Sequence, residues 1–395
     1  MTPLDAHEVP RGVPTRVILA DALRTVRRIM GMEVAFIGEF KDGERVFREV
    51  DCDPGFAPIQ AGDGGPLEES YCQRVVDGRL PEVIPDATAN AEACTLAATR
   101  ALPVGAHISV PLRFPEGGRV FGTFCCFSRE ADPTLNRRDL NTMRLFAEFL
   151  GQLLERREAE NAERETLRQD LQAVIDDGSF RTVFQPIVDI RAARVAGFEA
   201  LTRFPEILAR GPDVVFAEAA SVGLEEALED RTLRAALARL PALPEDAYLS
   251  LNSSPPCVLD GSVLAAVEGA PLDRLVVEVT EHSSIQDYGA LAEALAPLRD
   301  RGMRVAVDDA GAGYASFRHI LKLRPDFIKL DRALTRRVDD DDSRRALAAA
   351  LVTFAEETGS RIIAEGVETE AERDALADLG VSLMQGYLFG RPGPL

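Results

Sequence analysis

LVVEVTEH (residues 275–282), RVAVDDAG (304–311) and FIKLDR (327–332) share one pattern, an apolar β-rich run that ends on charged side chains. The same pattern extends outward in both directions. TVFQPIVDI (182–190), RVAGFEALTRF (194–204) and YLSLNSS (248–254) precede these runs, and RIIAEGVE (361–368) and LMQGYLF (383–389) follow them. Amphipathic helical stretches at 288–301, 343–358 and 370–379 lie between several of the runs. Strand and helix alternating in this way predict a parallel sheet. About eight strands in roughly 215 residues is the size of a closed α/β barrel. The first two runs are joined only by Arg191-Ala192-Ala193. That link is too short for a crossover helix, so this opening pair is expected to be antiparallel.

In an α/β barrel the chemistry sits at the C-terminal ends of the strands. Polar residues fall near those ends in order: Glu199, Asn252, Glu278 with Glu281, Asp308 with Asp309, Lys329 with Asp331, Glu365 with Glu368, and Gln385. Any one of them alone is an ordinary solvent-facing strand end. Carboxylates converging from separate strands, however, repel one another and lose hydration, so they need cations. Carboxylate and amide oxygens without His or Cys favour hard ions such as magnesium or manganese. The number of ligands suits two metals, an arrangement used for phosphoester hydrolysis.

These residues and their order resemble the EAL domain, a bacterial phosphodiesterase family that hydrolyses cyclic di-GMP. The name-giving tripeptide is Glu199-Ala200-Leu201 within GFEALTRF. Further matches are Asn252 in LNSS, Glu278-Val279-Thr280-Glu281, Asp308-Asp309, Lys329 in FIKLD, Glu365 in AEGVE and Gln385 in QGYLFGRP. The resemblance implies a first metal set of Glu199, Asn252, Glu278 and Asp308, with Asp309 on a second metal and Asp308 bridging. It implies that Lys329 and Glu365 hold and activate the attacking water, and that Glu281 anchors the loop after the Asp pair. Gln185, Leu201, Arg203 and Gln385 are implied on the substrate side, and the product is the linear dinucleotide pGpG. An ammonium beside two divalent ions is disfavoured, so the Lys329 pKa is expected to be depressed. The loop DDAGAGYAS departs from the family, with Ala310, Ala312 and Ala315 where Phe, Thr and Ser are usual. Phe204 stands where Trp is common. The competing reading, an inactive receptor for cyclic di-GMP, would usually go with lost ligands or a lost Lys.

The N-terminal part reads differently. A helical pattern carries Val17, Ile18, Leu23, Val26 and Ile29 on one face, and strand-like runs follow at 33–40 and 45–50 with a hairpin turn at Asp42-Gly43. A short helix at 67–76, paired strands at 107–114 and 119–127, and a long helix from about Asn136 complete an antiparallel sheet flanked by helices. The layout, and HISVPLRFPEGGRVFGTFCCFS (107–128) in particular, resembles a GAF domain, a small-molecule sensor fold, with the related PAS class as the alternative. Of six cysteines, Cys52, Cys72, Cys94, Cys125 and Cys126 lie here and Cys257 in the barrel. A bilin on Cys72 or a thiol sensor competes with buried cysteine acting as a small hydrophobe. Neighbouring Cys125 and Cys126 should face opposite sides of their strand. His107 is expected to be a satisfied polar residue in a strand rather than a haem ligand.

The expected division is a sensor over 1–154, a connecting helix over 155–175 and the barrel over 176–395. The connecting stretch, ERREAENAERETLRQD, is nearly all charged or alanine, and no obvious Gly or Pro break interrupts the helix from Asn136 to Ile175. It is either a solvated spacer or the seam of a homodimer. The chain has 395 residues, with 45 Lys+Arg against 65 Asp+Glu for a net charge of −20. That charge argues against nucleic-acid polymers and anionic membranes as partners. The polar N-terminus, the lack of a long apolar stretch and the sparse cysteines point to a reduced, cytoplasmic setting.

Overall fold

The computed structural model describes residues 14–205, 210–279, 285, 287–310 and 314–395; the side chains of 309 and 314–316 are also outside the description. Two compact units emerge, one ending at Glu163 and the other starting at Arg164.

The first unit is a six-stranded antiparallel sheet. Its strands are β1 (Val34–Lys41), β2 (Glu44–Cys52), β3 (Gly64–Pro66), β4 (Val83–Ile84), β5 (Ala106–Arg113) and β6 (Val120–Ser128), in the spatial order β3-β2-β1-β6-β5-β4. The β1–β2 hairpin turns on Asp42 and Gly43, both with positive φ, as a tight primed turn requires. Strand alternation sends Ala35, Ile37, Ile108, Val110, Phe124 and Cys126 into one core. There they meet Leu19, Leu23, Val26 and Met30 of helix Thr15–Met30, and Met143, Ala147, Leu150 and Leu154 of the long helix. The face of the first helix is therefore not the expected one: Val17 and Ile29 are exposed, because Leu19 and Met30 complete the 3.6-residue stripe with Leu23 and Val26. The opposite sheet face carries Phe36, Phe47, Cys125 and Phe127 under short segments holding Tyr71, Cys72 and Val75. The expected 67–76 helix is split, with a single 3₁₀ turn at Leu67–Glu69 and an α-helix at Tyr71–Val76. Ser70 separates them and caps the second through Gln73 N.

All six cysteines are free. Cys125 and Cys126 face the two different cores, as alternation requires. The Cys72 and Cys125 sulfurs lie 4.0 Å apart and Ser109 Oγ is 3.0 Å from Cys125. His107 differs from expectation. It is buried, packs against Tyr71 with ring planes tilted by 38° and centroids 4.6 Å apart, and neither ring nitrogen has a hydrogen-bond partner among the described residues. The tilted aromatic contact packs the ring but leaves its nitrogens without partners among the described residues. Burial lowers its pKa from 6.5 to about 3. The unfolded chain therefore binds more protons than the folded one between those values, and stability rises with pH across that window and is lost as pH falls through it. Denaturant unfolding of the first unit at pH 4 and pH 7 should show this slope, and His107→Leu should flatten it; an unchanged slope would remove His107 as its source.

The long helix runs from Arg137 to Asp177. Gly151 lies within it and does not break it. A Cβ there would stand 2.4 Å from the Arg113 carbonyl oxygen, so the glycine is a close-packing site against β5.

The second unit is a closed eight-stranded barrel. Its strands are β7 (Arg181–Asp189), β8 (Arg194–Arg203), β9 (Tyr248–Ser253), β10 (Leu275–Val279), β11 (Arg304–Ala310), β12 (Phe327–Leu330), β13 (Arg361–Ala364) and β14 (Leu383–Gln385). β7 is antiparallel to both neighbours, β8 and β14, and every other pairing is parallel. The short 191–193 link thus reverses one strand of an otherwise regular barrel. Inside, Ile187, Tyr248, Val276, Ala306, Phe327, Ile363 and Leu383 form a packed plug. A larger core lies between strands and outer helices. The plug closes one end of the barrel interior, so polar side chains collect at the strand C-termini.

Candidate functional site

Four carboxylates from four strand ends close on one ammonium. Lys329 Nζ lies 2.5 Å from Glu278 Oε2, 2.7 Å from Glu365 Oε1, 3.3 Å from Asp308 Oδ1 and 3.5 Å from Glu199 Oε1. Parallel register brings them together, since Glu278 pairs with Asn252 and with Ala306, and Lys329 sits between β11 and β13. Lys329 and Glu278 are fully buried. Burial pushes the Glu278 carboxyl up to about 8, against the pull of Lys329 and with the help of Glu199 and Asp308. Burial likewise raises Glu365 well above the carboxylate range. For Lys329 burial acts downward, but Asp308, Glu199, Glu278 and Glu365 outweigh it and hold the ammonium well above its usual value. This direction reflects the four carboxylates alone; the depression expected beside two divalent ions belongs to the cation-loaded site and is not tested by it.

A chain of amides continues the cluster. Asn252 Nδ2 donates to Glu199 Oε1 at 3.0 Å, and Gln385 Nε2 donates to Glu199 Oε2 at 2.6 Å and to Gln185 Oε1 at 3.0 Å. Gln185 Nε2 in turn donates to the Gly390 carbonyl at 3.1 Å, tying the C-terminal segment to the barrel mouth. Gln385 Oε1 is buried without a partner among the described residues. A cavity of about 260 Å³ opens here, with Gln185, Glu199, Leu201, Asp308, Lys329, Glu365 and Gln385 on its walls.

Most of the residues expected at the site thus meet. Asn252 and Glu278 lie behind Glu199 and Lys329. Arg203 shares a face of β8 with Glu199 and Leu201 by alternation, but it donates to the Thr202 carbonyl and does not line the cavity. Glu281 lies outside the described residues, as do Gly311, Ala312 and Gly313; Asp309 is placed by its backbone in β11 and its side chain is not described.

Several contributors carry no clear signal in the sequence. Arg332 and Tyr387 line the mouth, where Arg332 pairs with Glu368 at 3.0 Å. Ser250 Oγ donates to Glu278 Oε1 at 2.5 Å, a role hinted at only by its place two residues before Asn252 on one strand. Glu229, buried, accepts from Ser253 Oγ at 3.0 Å and Ser254 N at 2.9 Å. It pins the end of β9 next to Asn252, and burial raises its pKa. Nothing in the helix containing Glu229 marks it as different from its acidic neighbours.

The donor set suits hard divalent cations on two grounds. The candidate ligating atoms are carboxylate or amide oxygens, and Gln385 Oε1 beside them is a further oxygen without a partner among the described residues. One ammonium also cannot balance four carboxylates, so the cluster either takes protons, as Glu278 and Glu365 tend to, or takes cations. Among the described residues no three acidic, His or Cys side chains stand at coordinating geometry, because the carboxylates turn to Lys329.

Comparison with known proteins places this geometry. The GAF domain profile matches residues 14–155. A cyclic di-GMP phosphodiesterase of Pseudomonas aeruginosa is 32% identical over 232 residues, covering 56% of this chain and 40% of that protein. A signaling protein of Caulobacter vibrioides is 30% identical over 305 residues, covering 74% of this chain and 36% of that protein. The chain thus spans well under half the length of these curated relatives. A structure of the PaMucR phosphodiesterase in complex with c-di-GMP aligns with a TM-score of 0.52 at 28% identity, covering 58% of this chain and 98% of that one. The EAL domain profile matches residues 167–392, more than half of the chain and all of the barrel's strands, and the chain belongs to the EAL domain family.

Proposed function

We propose that this chain hydrolyses cyclic di-GMP to linear pGpG with the help of divalent magnesium or manganese, and that its N-terminal unit regulates the reaction. The observation that carries the reading is the convergence of Glu199, Glu278, Asp308 and Glu365 on buried Lys329 in an amide-rimmed cavity. Glu199, Asn252, Glu278, Asp308 and Asp309 are the residues that would hold the cations. Bound there, divalent ions would supply positive charge to polarise the phosphodiester and favour a hydroxide nucleophile. The chain's own groups do the rest. Lys329 and Glu365, 2.7 Å apart, hold and orient the attacking water, and Glu365, ionised once cations balance the cluster, receives its proton. Attack at phosphorus breaks one P–O3′ bond, so one 5′-phosphate and one 3′-hydroxyl appear. Gln185, Leu201 and Gln385 face the dinucleotide, with Arg203 at the rim. Glu281 is assigned to anchor the loop that follows the Asp pair.

The inactive-receptor reading has less support, since the Lys and the acids are all retained. Regulation is assigned to the 41-residue helix, because a continuous helix transmits a shift that a flexible linker would dissipate. The proposed active state is a cytoplasmic homodimer; no helix among the described residues is long and apolar enough to cross a membrane. A protein beginning near Arg164 should still hydrolyse cyclic di-GMP, with an altered basal rate and weaker self-association, and glycines inserted near Ala159 should uncouple the units. If both match the full chain in rate and oligomeric state, the helix is only a spacer. EDTA should abolish turnover, magnesium or manganese should restore it, and calcium should do so poorly because of its looser coordination.

A further inference from the structure

A second cavity, of about 680 Å³, lies on the barrel unit, shares no lining residue with the carboxylate cavity, and has a polar lining dominated by arginine. Arg181 comes from the start of β7, and Arg231, Arg234 and Arg239 come from the helix Glu225–Leu237 and the turn after it. Phe180 and Pro394 give it an apolar wall. Among the described residues, no acidic side chain lines it. Arg234 is neutralised by Asp230 at 2.8 Å. Arg181, Arg231 and Arg239 make no ion pair among the described residues.

Three exposed guanidinium groups without an ion-pair partner among the described residues give this hollow a positive rim, in a chain whose net charge is −20. The C-terminal end of the helix favours nearby cations and accounts for Arg234 and Arg239. It does not account for Arg231, which lies before the last turn, or for Arg181 on another element. The backbone makes room for Arg231. Gly178 has φ +63, and a Cβ there would stand 3.4 Å from Arg231 Nη2.

We propose that this cavity is a binding site for a nucleoside phosphate, separate from the carboxylate site. Arginine forks hold phosphate oxygens bidentately and also stack on planar rings. The apolar wall of Phe180 and Pro394 offers a surface for the base. The volume is that of a small-molecule site. A hollow of this size is too small for a nucleic-acid polymer, which the overall charge also disfavours.

The test uses the full chain and GTP as probe, by calorimetric titration. GTP should bind saturably, with affinity falling steeply as salt rises. Arg231→Ala and Arg181→Ala should each weaken it by about tenfold or more. Arg231→Lys should recover only part, since it restores charge without the fork. Glu365→Gln, in the other site, should leave GTP affinity unchanged. No saturable binding, or affinity indifferent to Arg231→Ala with the fold intact, overturns the proposal. Pyrophosphate binding as tightly as GTP overturns the nucleoside part, and a poly-glutamate peptide displacing GTP at comparable affinity would reassign the cavity to an acidic protein segment.

Discussion

Asp308→Asn and Glu199→Ala should each take the proposed cyclic di-GMP hydrolysis below about one hundredth of the wild-type rate. Each removes one negative oxygen donor from a cluster whose proposed role is to gather positive charge around a phosphodiester. The two variants differ in what they do to the fold. Asp308→Asn keeps shape and volume. Glu199→Ala also takes the acceptor from part-buried Asn252 and leaves Gln385 Nε2 with Gln185 Oε1 alone, and a buried donor that loses its partner costs about 1–3 kcal/mol. The expected result is therefore near-complete loss of product formation in both, measured as initial rate. Melting temperature should be near wild type for Asp308→Asn and lower for Glu199→Ala. Wild-type turnover in either variant would remove that residue from the cation set.

Lys329→Ala should cut turnover far more than substrate binding. Its effect on stability is also distinctive. With the ammonium gone, four carboxylates face one another with no protein cation between them. Removing one partner from a buried charge cluster costs about 3–5 kcal/mol. The variant should melt well below wild type in EDTA and regain much of the difference when magnesium is added, because cations then replace the missing charge. Equal losses in rate and binding would make Lys329 chiefly a substrate contact. A melting temperature indifferent to magnesium would separate the cluster from cations altogether.

Much of this site is legible in the amino-acid sequence. The strands end where their apolar runs meet Glu199, Glu278, Asp308 and Lys329, and the short 191–193 link implies the reversed β7. What sequence does not carry is direction of contact. By position alone Lys329 reads as a residue beside metals; the fold adds that its Nζ is the point on which four carboxylates meet. Ser250 and Arg332 do not stand out, because a serine in a strand and an arginine after one are common. Glu229 is hidden among helical acids, since only the tertiary fold brings it to Ser253 and Ser254. In the first unit the exposed Val17 and Ile29 show the weakness of counting apolar residues on a helix with more of them than one face can bury. His107 shows the converse, a polar side chain buried without the partner its chemistry would suggest.

Hydrolysis of a phosphodiester by this barrel is tested most directly by incubating the full chain with cyclic di-GMP and magnesium in oxygen-18 water and weighing the product. The expected product is pGpG carrying a single oxygen-18 in its terminal phosphate, with none formed by Asp308→Asn. Cyclic di-GMP that binds yet is recovered intact would contradict hydrolysis and make the protein a receptor.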